Sequence, residues 1–451
     1  MPAPAGKLRL FDLTMIVVSL VIGMGIFRAP VNAARGAGEA WIFFAAWIAG
    51  GLIALAGALT YAEIGARDPA TGGYYRVFAR AYHPSIAFAL TSVIVASNAA
   101  SAAAVALIGA EYLGAALDPA RADPRPLRHA VAAAAHVAFF AHNHHGHRAT
   151  ARAQNLLTLV KIALILALIA AAFVAAPAAE TARSILPQEP PSPGPGPAVR
   201  AFGLALIAAS FTYGGYQQAI NFGDEVVAPR RTVPRGIALG VALVTALYLA
   251  INLTYVRVIG FEALKVADSI AARLAGAVFG PAGFTALSVL LFLSVLGYIN
   301  VALLTNPRLL RAMSDDGLLP AALGRASPRT GALAPALAHD TALCLGALYA
   351  GATFDRILNY TMFLECAGMA ASAATLFVLR PRTAHLDAEG VFRVRPYPWL
   401  PLAFIAAYLF IAASIALTDP GAALGGLAVF AAALALYPLA RRARPAPAPS
   451  P

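Results

Sequence analysis

An all-α polytopic membrane fold is predicted by three observations. These are an apolar composition, apolar stretches of membrane length that recur along the chain, and two glycine-interrupted stretches in corresponding positions of two halves. Of 451 residues, 60% are hydrophobic and only 12% are charged, and the mean hydropathy is +0.72. That is too little charge to cover the surface of a soluble protein of this size.

Spanning the hydrocarbon core takes about 20 apolar residues in helical form, and about twelve stretches meet that length. The first, 11–33, contains Gly23, Gly25 and Pro30; it has no small-residue cleavage site, so it reads as a spanning helix, not a signal peptide. Span 40–64 ends in Tyr61-Ala62-Glu63-Ile64, and 85–115 is rich in Ala and Val around Asn98. Span 129–147 is Ala-rich and interrupted by His, and 152–176 carries Lys161. After the Pro-rich stretch Pro187 to Pro197, read as an extended outer loop, come 201–223, 236–258, 282–306, 333–351, 357–379, 398–417 and 421–440. Residues 265–279 have apolar positions at helical spacing and read as a short helix over the outer vestibule.

The formal charge of +12 is distributed by topology. With the N-terminus inside, about two-thirds of the Lys and Arg fall on the inner side, the pattern of the positive-inside rule. The inner groups include Arg67, Arg76 and Arg80, then Arg230, Arg231 and Arg235, then Arg380, Arg382, Arg393 and Arg395, and finally Arg441, Arg442 and Arg444. Both termini are therefore expected in the cytoplasm, and a nucleic-acid partner is excluded. Two cysteines, Cys344 and Cys366, each inside a span, make neither a disulfide framework nor a metal knuckle. The residues call for no cofactor and no obligate protein partner.

The two interruptions carry the chemistry. Gly23-Met24-Gly25-Ile26-Phe27 lies in the first span and Phe211-Thr212-Tyr213-Gly214-Gly215-Tyr216 in the sixth. Paired glycines are costly inside a helix, and lipid tolerates a loosened backbone only where it lines a cavity. Interrupted spans in matching positions of two halves point to the substrate site of a secondary transporter. At each break one half-helix offers free N–H groups to an anion and the other offers free carbonyls to a cation. An α-amino acid zwitterion matches both. The bland alternative is that the glycines only permit close helix packing.

These motifs resemble the amino acid–polyamine–organocation superfamily. Gly23 through Phe27 with Pro30 is similar to its first helix. Tyr61-Ala62-Glu63-Ile64 with Gly72-Gly73-Tyr74-Tyr75 is similar to its second helix and inner loop. Phe211 to Tyr216, Glu225 and Pro229-Arg230-Arg231-Thr232-Val233-Pro234-Arg235 resemble its sixth helix and the loop beyond. Ser294, Gly297, Asn300, Arg308, Met313 and Asp316-Gly317-Leu318-Leu319-Pro320 resemble its eighth helix, most of all in the L-type amino acid transporter branch. The resemblance covers roughly residues 8 to 440.

It implies two inverted five-helix repeats, 11–176 and 201–380. A short N-terminal segment (1–10), the outer loop (177–200), helices eleven and twelve (381–440) and a tail (441–451) complete the chain. It also implies that amides at Met24 and Gly25, beside Gly23, take a substrate carboxylate. Carbonyls of Val21, Phe211 and Gly214, beside Thr212, would take the ammonium, with Phe211 as an aromatic lid. Met24 stands where the family usually has a small residue, often Ser, and Tyr298 replaces a smaller residue; both make the pocket tighter and more apolar.

Lys161 lies among Leu, Val and Ile, where an unpaired ammonium is expensive and so reads as functional. By the resemblance it occupies the cation position of sodium-coupled relatives, within reach of Ser294, and is a proton-coupling candidate; otherwise it snorkels to the interface. Asn98, Asn300 and Glu365 are candidate pocket groups or interhelical glue. Asp224 and Glu225 are expected to pair with Arg230, Arg231 or Arg235. His142, His144, His145 and His147 read as a solvated loop, not a metal site.

The expected function is secondary transport of a neutral L-amino acid at the cell inner membrane, by proton symport or exchange. Cationic amino acids or polyamines, met by Glu365, are the second reading. A receptor that binds an amino acid without moving it is the rival from another class. The spans hold no catalytic constellation of a membrane-embedded enzyme, and no Walker loop supports ATP-driven pumping.

Overall fold

Without water to serve its polar groups, a backbone in lipid must bond to itself, so apolar runs of this length become helices. The computed structural model describes residues 8–23, 25–68, 73–117, 125–144, 159, 162–163, 165–170, 195–219, 226–267, 270–351 and 354–442. In the first half the helices are α1 (Leu10–Val21), α2 (Gly25–Ala37), α3 (Ala40–Arg67), α4 (Gly73–Ala81), α5 (Pro84–Leu117) and α6 (Arg125–His144). The second half has α7 (Pro195–Tyr213), α8 (Pro229–Ile259), α9 (Phe261–Val266), α10 (Ile270–Asp315), α11 (Ala321–Gly324), α12 (Ala334–Gly351), α13 (Phe354–Arg382), α14 (Trp399–Thr418) and α15 (Pro420–Arg442). Helix α10 is broken at Gly280, whose φ of 72° no helix contains. The helix expected over 265–279 falls in two pieces, the end of α9 and the start of α10 from Ile270, because the chain is extended at Ala267.

Among the described residues, eight helices are long and apolar enough to cross a membrane, or nine if the bent pair α1–α2 counts as one span. Most of span 152–176, Lys161 included, lies outside the described residues. Burial separates the layers. The most apolar window of α5 is 78% buried, against 28% for α14 and 22% for α15. Helix α5 is thus an internal post, whereas α14 and α15 turn Leu402, Leu409, Leu424 and Leu427 outward, as lipid-facing helices must.

Each of α2, α3 and α5 packs on a helix of the second half: α2 on α7, α3 on α8, α5 on α10. An aromatic group locks the middle of this packing. The ring of Trp47 on α3 meets Tyr213 on α7 at 5.8 Å and Tyr248 on α8 at 6.1 Å, and the two tyrosines lie 5.2 Å apart.

The end of the molecule carrying Arg67 is tied by charge. Glu63, fully buried, accepts from Arg67 Nε at 2.7 Å and from the backbone N–H of Val394 at 2.7 Å, with Arg380 at 3.4 Å. Arg67 also donates to Asp387 at 2.7 Å and to Thr383. This set fastens α3 to the segment joining α13 and α14. Arg230 pairs with Glu389, a residue the sequence did not offer as its partner; Asp224 and Glu225 lie outside the described residues. His142 and His144 sit in the last turn of α6 instead of a loop, because the helical Ala-rich run carries through them; His145 and His147 are not described. Both cysteines are free and buried.

Candidate functional site

Helix α1 stops at Val21. The Ile22 N–H still reaches Val18 O at 2.7 Å, but that of Gly23 turns back to Val21 O at 2.7 Å, and α2 restarts at Gly25 bent by 45°. Helix α7 stops at Tyr213, where the Gly214 N–H closes a four-residue turn on Phe211 O at 3.3 Å. Gly215 follows at φ +112°, a conformation that side chains rarely adopt.

The two breaks touch. A Cβ on Gly215 would lie 2.3 Å from Leu20 O, and one on Gly25 would lie 3.1 Å from Thr212 Cα. Glycine at both positions lets two unwound backbones meet with nothing between them.

Beside this crossing is a cavity of about 60 Å³ open to water-sized molecules. At about 10–15 Å³ per water by the same measure, it holds a handful of waters, the scale of a small zwitterion. Of the sequence-derived candidates, Val21, Gly23, Gly25, Phe211, Thr212, Gly214, Asn98, Tyr298 and Glu365 all line it. Asn300 and Ser294 are buried on α10 and do not; the Ser294 hydroxyl donates to Leu290 O within its own helix at 3.0 Å. Met24 and Lys161 lie outside the described residues.

Two details alter the expected contacts. Val21 O accepts from Tyr248 Oη at 2.8 Å as well as from Gly23, so both its lone pairs are engaged. Tyr298 approaches Gly23 so closely that a Cβ there would lie 3.3 Å from its ring, and its hydroxyl shares a hydrogen bond with Ser101 at 3.0 Å. The ring thus closes one wall of the cavity.

Sequence reasoning missed Ser97, Ser101, Gln217, Gln218 and Thr305, which supply most of the polar lining. Gln217 braces the second break: its Oε1 accepts from the Gly215 N–H at 2.8 Å and its Nε2 donates to Glu365 at 3.2 Å. Its place just past a glycine pair was the available signal, since freed N–H groups need a nearby acceptor. Among the described residues no three His, Cys, Asp or Glu side chains form a group able to hold a metal.

A helical membrane protein with two helix breaks meeting at a small polar cavity belongs to the class of substrate-carrying membrane proteins. The particular family follows from comparison: residues 8–434 match the amino acid permease family, and the chain belongs to it. The serine/threonine exchanger SteT of Bacillus subtilis is 26% identical over 422 residues, covering 91% of each chain. The human large neutral amino acids transporter small subunit 2 is 27% identical over 368 residues, 81% of this chain and 68% of that protein. The human cystine/glutamate transporter is 25% identical over 418 residues, 92% of this chain and 81% of that protein. The chain is an amino acid transporter and not an enzyme, embedded in a membrane, and its substrate is a small molecule.

Proposed function

We propose that this permease carries neutral L-amino acids by alternating access, with substrate clamped between the two helix breaks. The observation that carries this reading is the direct meeting of the breaks at Leu20 and Gly215 beside a cavity sized for a small zwitterion. In this reading the carboxylate lies on the amide end of α2, at Met24 and Gly25. The ammonium faces the carbonyls of Phe211 and Gly214, with Val21 joining once Tyr248 releases it. Phe211, half-buried in the lining, closes over the substrate. The names of the relatives, serine/threonine and large neutral amino acids among them, support a neutral substrate.

Pairing of α2 with α7, α3 with α8 and α5 with α10 is what a two-fold between inverted repeats 11–176 and 201–380 would produce, within a total of about twelve helices. The distribution of basic residues supports a cell-membrane location with both termini inside. Lys161 remains the candidate for the cation position beside Ser294, with proton symport or exchange as the driving mode.

A second reading rests on Glu365, which lines the cavity as a carboxylate-bearing residue: cationic amino acids or polyamines. Uptake into proteoliposomes decides between them. Labelled serine, threonine and leucine should enter and exchange, while arginine, lysine and putrescine should not compete. Competition by the cations alone would overturn the neutral reading. Lys161→Ala should lose most net, pH-driven uptake while retaining exchange; an unchanged rate and pH profile would reduce the lysine to an interfacial anchor.

A further inference from the structure

Asp340 lies within α12, 1% exposed, and the substrate clamp makes no use of it. Its Oδ1 accepts from Asn306 Nδ2 on α10 at 2.7 Å. Asn306 Oδ1 accepts from Asn98 Nδ2 on α5 at 2.9 Å, and Asn98 Oδ1 accepts from Gln218 Nε2 at 3.2 Å. Asn98 and Gln218 line the substrate cavity. Three carboxamides in series therefore end on a buried acid that a single side chain, Asn306, separates from the cavity lining.

The surroundings of Asp340 are short of positive charge. Among the described residues no Lys or Arg forms an ion pair with it. Helices α5, α6, α10, α11 and α13 pack on α12. Helix α5 presents the neutral Asn98 and Ser97. Helix α6 carries the buried His136, whose Nδ1 is engaged by Ala132 O at 2.9 Å. Helix α10 contributes Asn306 and Tyr298, with Arg308 and Arg311 further toward its basic end, and α11 has no titratable side chain. Helix α13 carries Glu365 on the cavity side, and Cys344 stands one turn along α12 itself. A carboxylate in hydrocarbon with one amide for company is expensive, while the neutral acid is not.

The chain of amides has a direction. The side-chain-to-side-chain donations all run toward Asp340, which suits an acceptor oxygen at the end. Asn306 Nδ2 also donates to Val95 O at 3.2 Å, a bond that a turn of Asn306 gives up. A proton placed on Asp340 Oδ1 itself makes that atom a donor, and the mismatch is then relieved when Asn306, Asn98 and Gln218 each turn over. After that reversal the Gln218 carboxamide carries its N–H where its oxygen was, and a substrate carboxylate that reaches this lining residue is better received.

We propose that Asp340 is a proton-binding site whose occupancy is relayed to the substrate cavity by reversal of the Asn306, Asn98 and Gln218 carboxamides. The proposal rests on the transport reading and places a route for the coupled proton in it. Asp340 takes one proton from one side and returns it to the other; no other species is consumed.

The test measures binding of labelled L-serine and L-leucine to purified protein, and their uptake into proteoliposomes, at about pH 5.5 and about pH 7.5. The readout is the ratio between the two pH values, not the rate. Wild-type affinity should rise at the lower pH, by up to about tenfold per unit for one linked proton. Asp340→Asn keeps the shape and the acceptor but cannot ionise, so its ratio should fall to about one. Asp340→Glu should restore a slope. Asn306→Ala disconnects the relay while leaving the acid, and should also flatten the ratio; it serves if Asp340→Asn does not fold. A wild-type ratio retained in Asp340→Asn, or in Asn306→Ala, overturns the proposal, as does a slope lost only in Lys161→Ala. Wild-type liposomes that take up no amino acid would sink the transport reading instead, and the binding ratios would still decide on Asp340.

Discussion

The centre of the molecule and its basic end both bury polar groups, and they satisfy them by opposite means. At the basic end, Glu63 and Arg67 are matched by Arg380, Asp387, Thr383 and the Val394 amide, so that full charges meet full charges. In the centre, the groups facing the cavity are backbone, hydroxyls and carboxamides, with Glu365 the carboxyl among the described lining residues. A buried ion pair is costly to separate, because each partner left behind is a naked charge. Neutral amides exchange partners at about the cost of a hydrogen bond. The contrast assigns anchoring to the basic end and partner-switching to the centre, which is what a carrier needs.

The largest effect expected from breaking this contrast is at Glu63. Glu63→Ala strips the buried Arg67 of its main counter-charge and should cost about 3–5 kcal/mol, seen as a fall in melting temperature of the detergent-solubilised protein. A loss below about 1 kcal/mol would mean that water reaches Arg67 and that the anchor is not buried in function. Next comes Gly25→Leu, whose Cβ alone would press on Thr212 at 3.0–3.1 Å. Substrate affinity should drop by about a hundredfold or more, about 2.7 kcal/mol, with the protein still folded; wild-type affinity would contradict the backbone clamp.

Phe211→Ala should reduce transport by about tenfold, about 1.4 kcal/mol. It should destabilise by less than the about 3–5 kcal/mol typical of a core Phe, since the ring is only half-buried. A larger loss of stability than of transport would make it a packing residue.

The smallest effect is expected at Asp387. The hydrogen bond from Arg67, then the charges of Arg67, Arg393 and Arg380, hold its carboxyl below the ordinary value against some desolvation. A depressed carboxyl stabilises the fold above its unfolded value near about 4 and loses that contribution as pH falls through the lower folded value. Asp387→Asn should therefore lower the melting temperature by a constant small amount between about pH 5 and 8, under about 1 kcal/mol, since Asp387 is a quarter exposed and the buried Arg67 keeps Glu63. The difference should vanish in strong acid; a difference that grew toward acid pH would show the sign to be wrong.

By itself the sequence determined the membrane class and the two break points, because hydrophobic length and paired glycines are local properties of the chain. It also pointed to Gly23, Gly25, Phe211, Thr212 and Gly214 together, and these residues line one cavity. Tertiary structure decided which side chains from other helices reach that cavity. Ser97 and Ser101 on α5, Thr305 on α10 and Gln218 past the break are ordinary polar residues in apolar runs, and only the packing of α5 against α10 gathers them. The same packing leaves Asn300 off the cavity lining, although it is as polar as Asn98, because rotation about a helix axis follows from neighbours and not from composition. Asp340, an acid inside span 333–351, was passed over in the sequence, and its link to the site depends on three side chains from three other segments. The partners of Arg67 and Arg230 were likewise hidden, since Asp387 and Glu389 lie far along the chain and come close only when α13 and α14 close over the basic end.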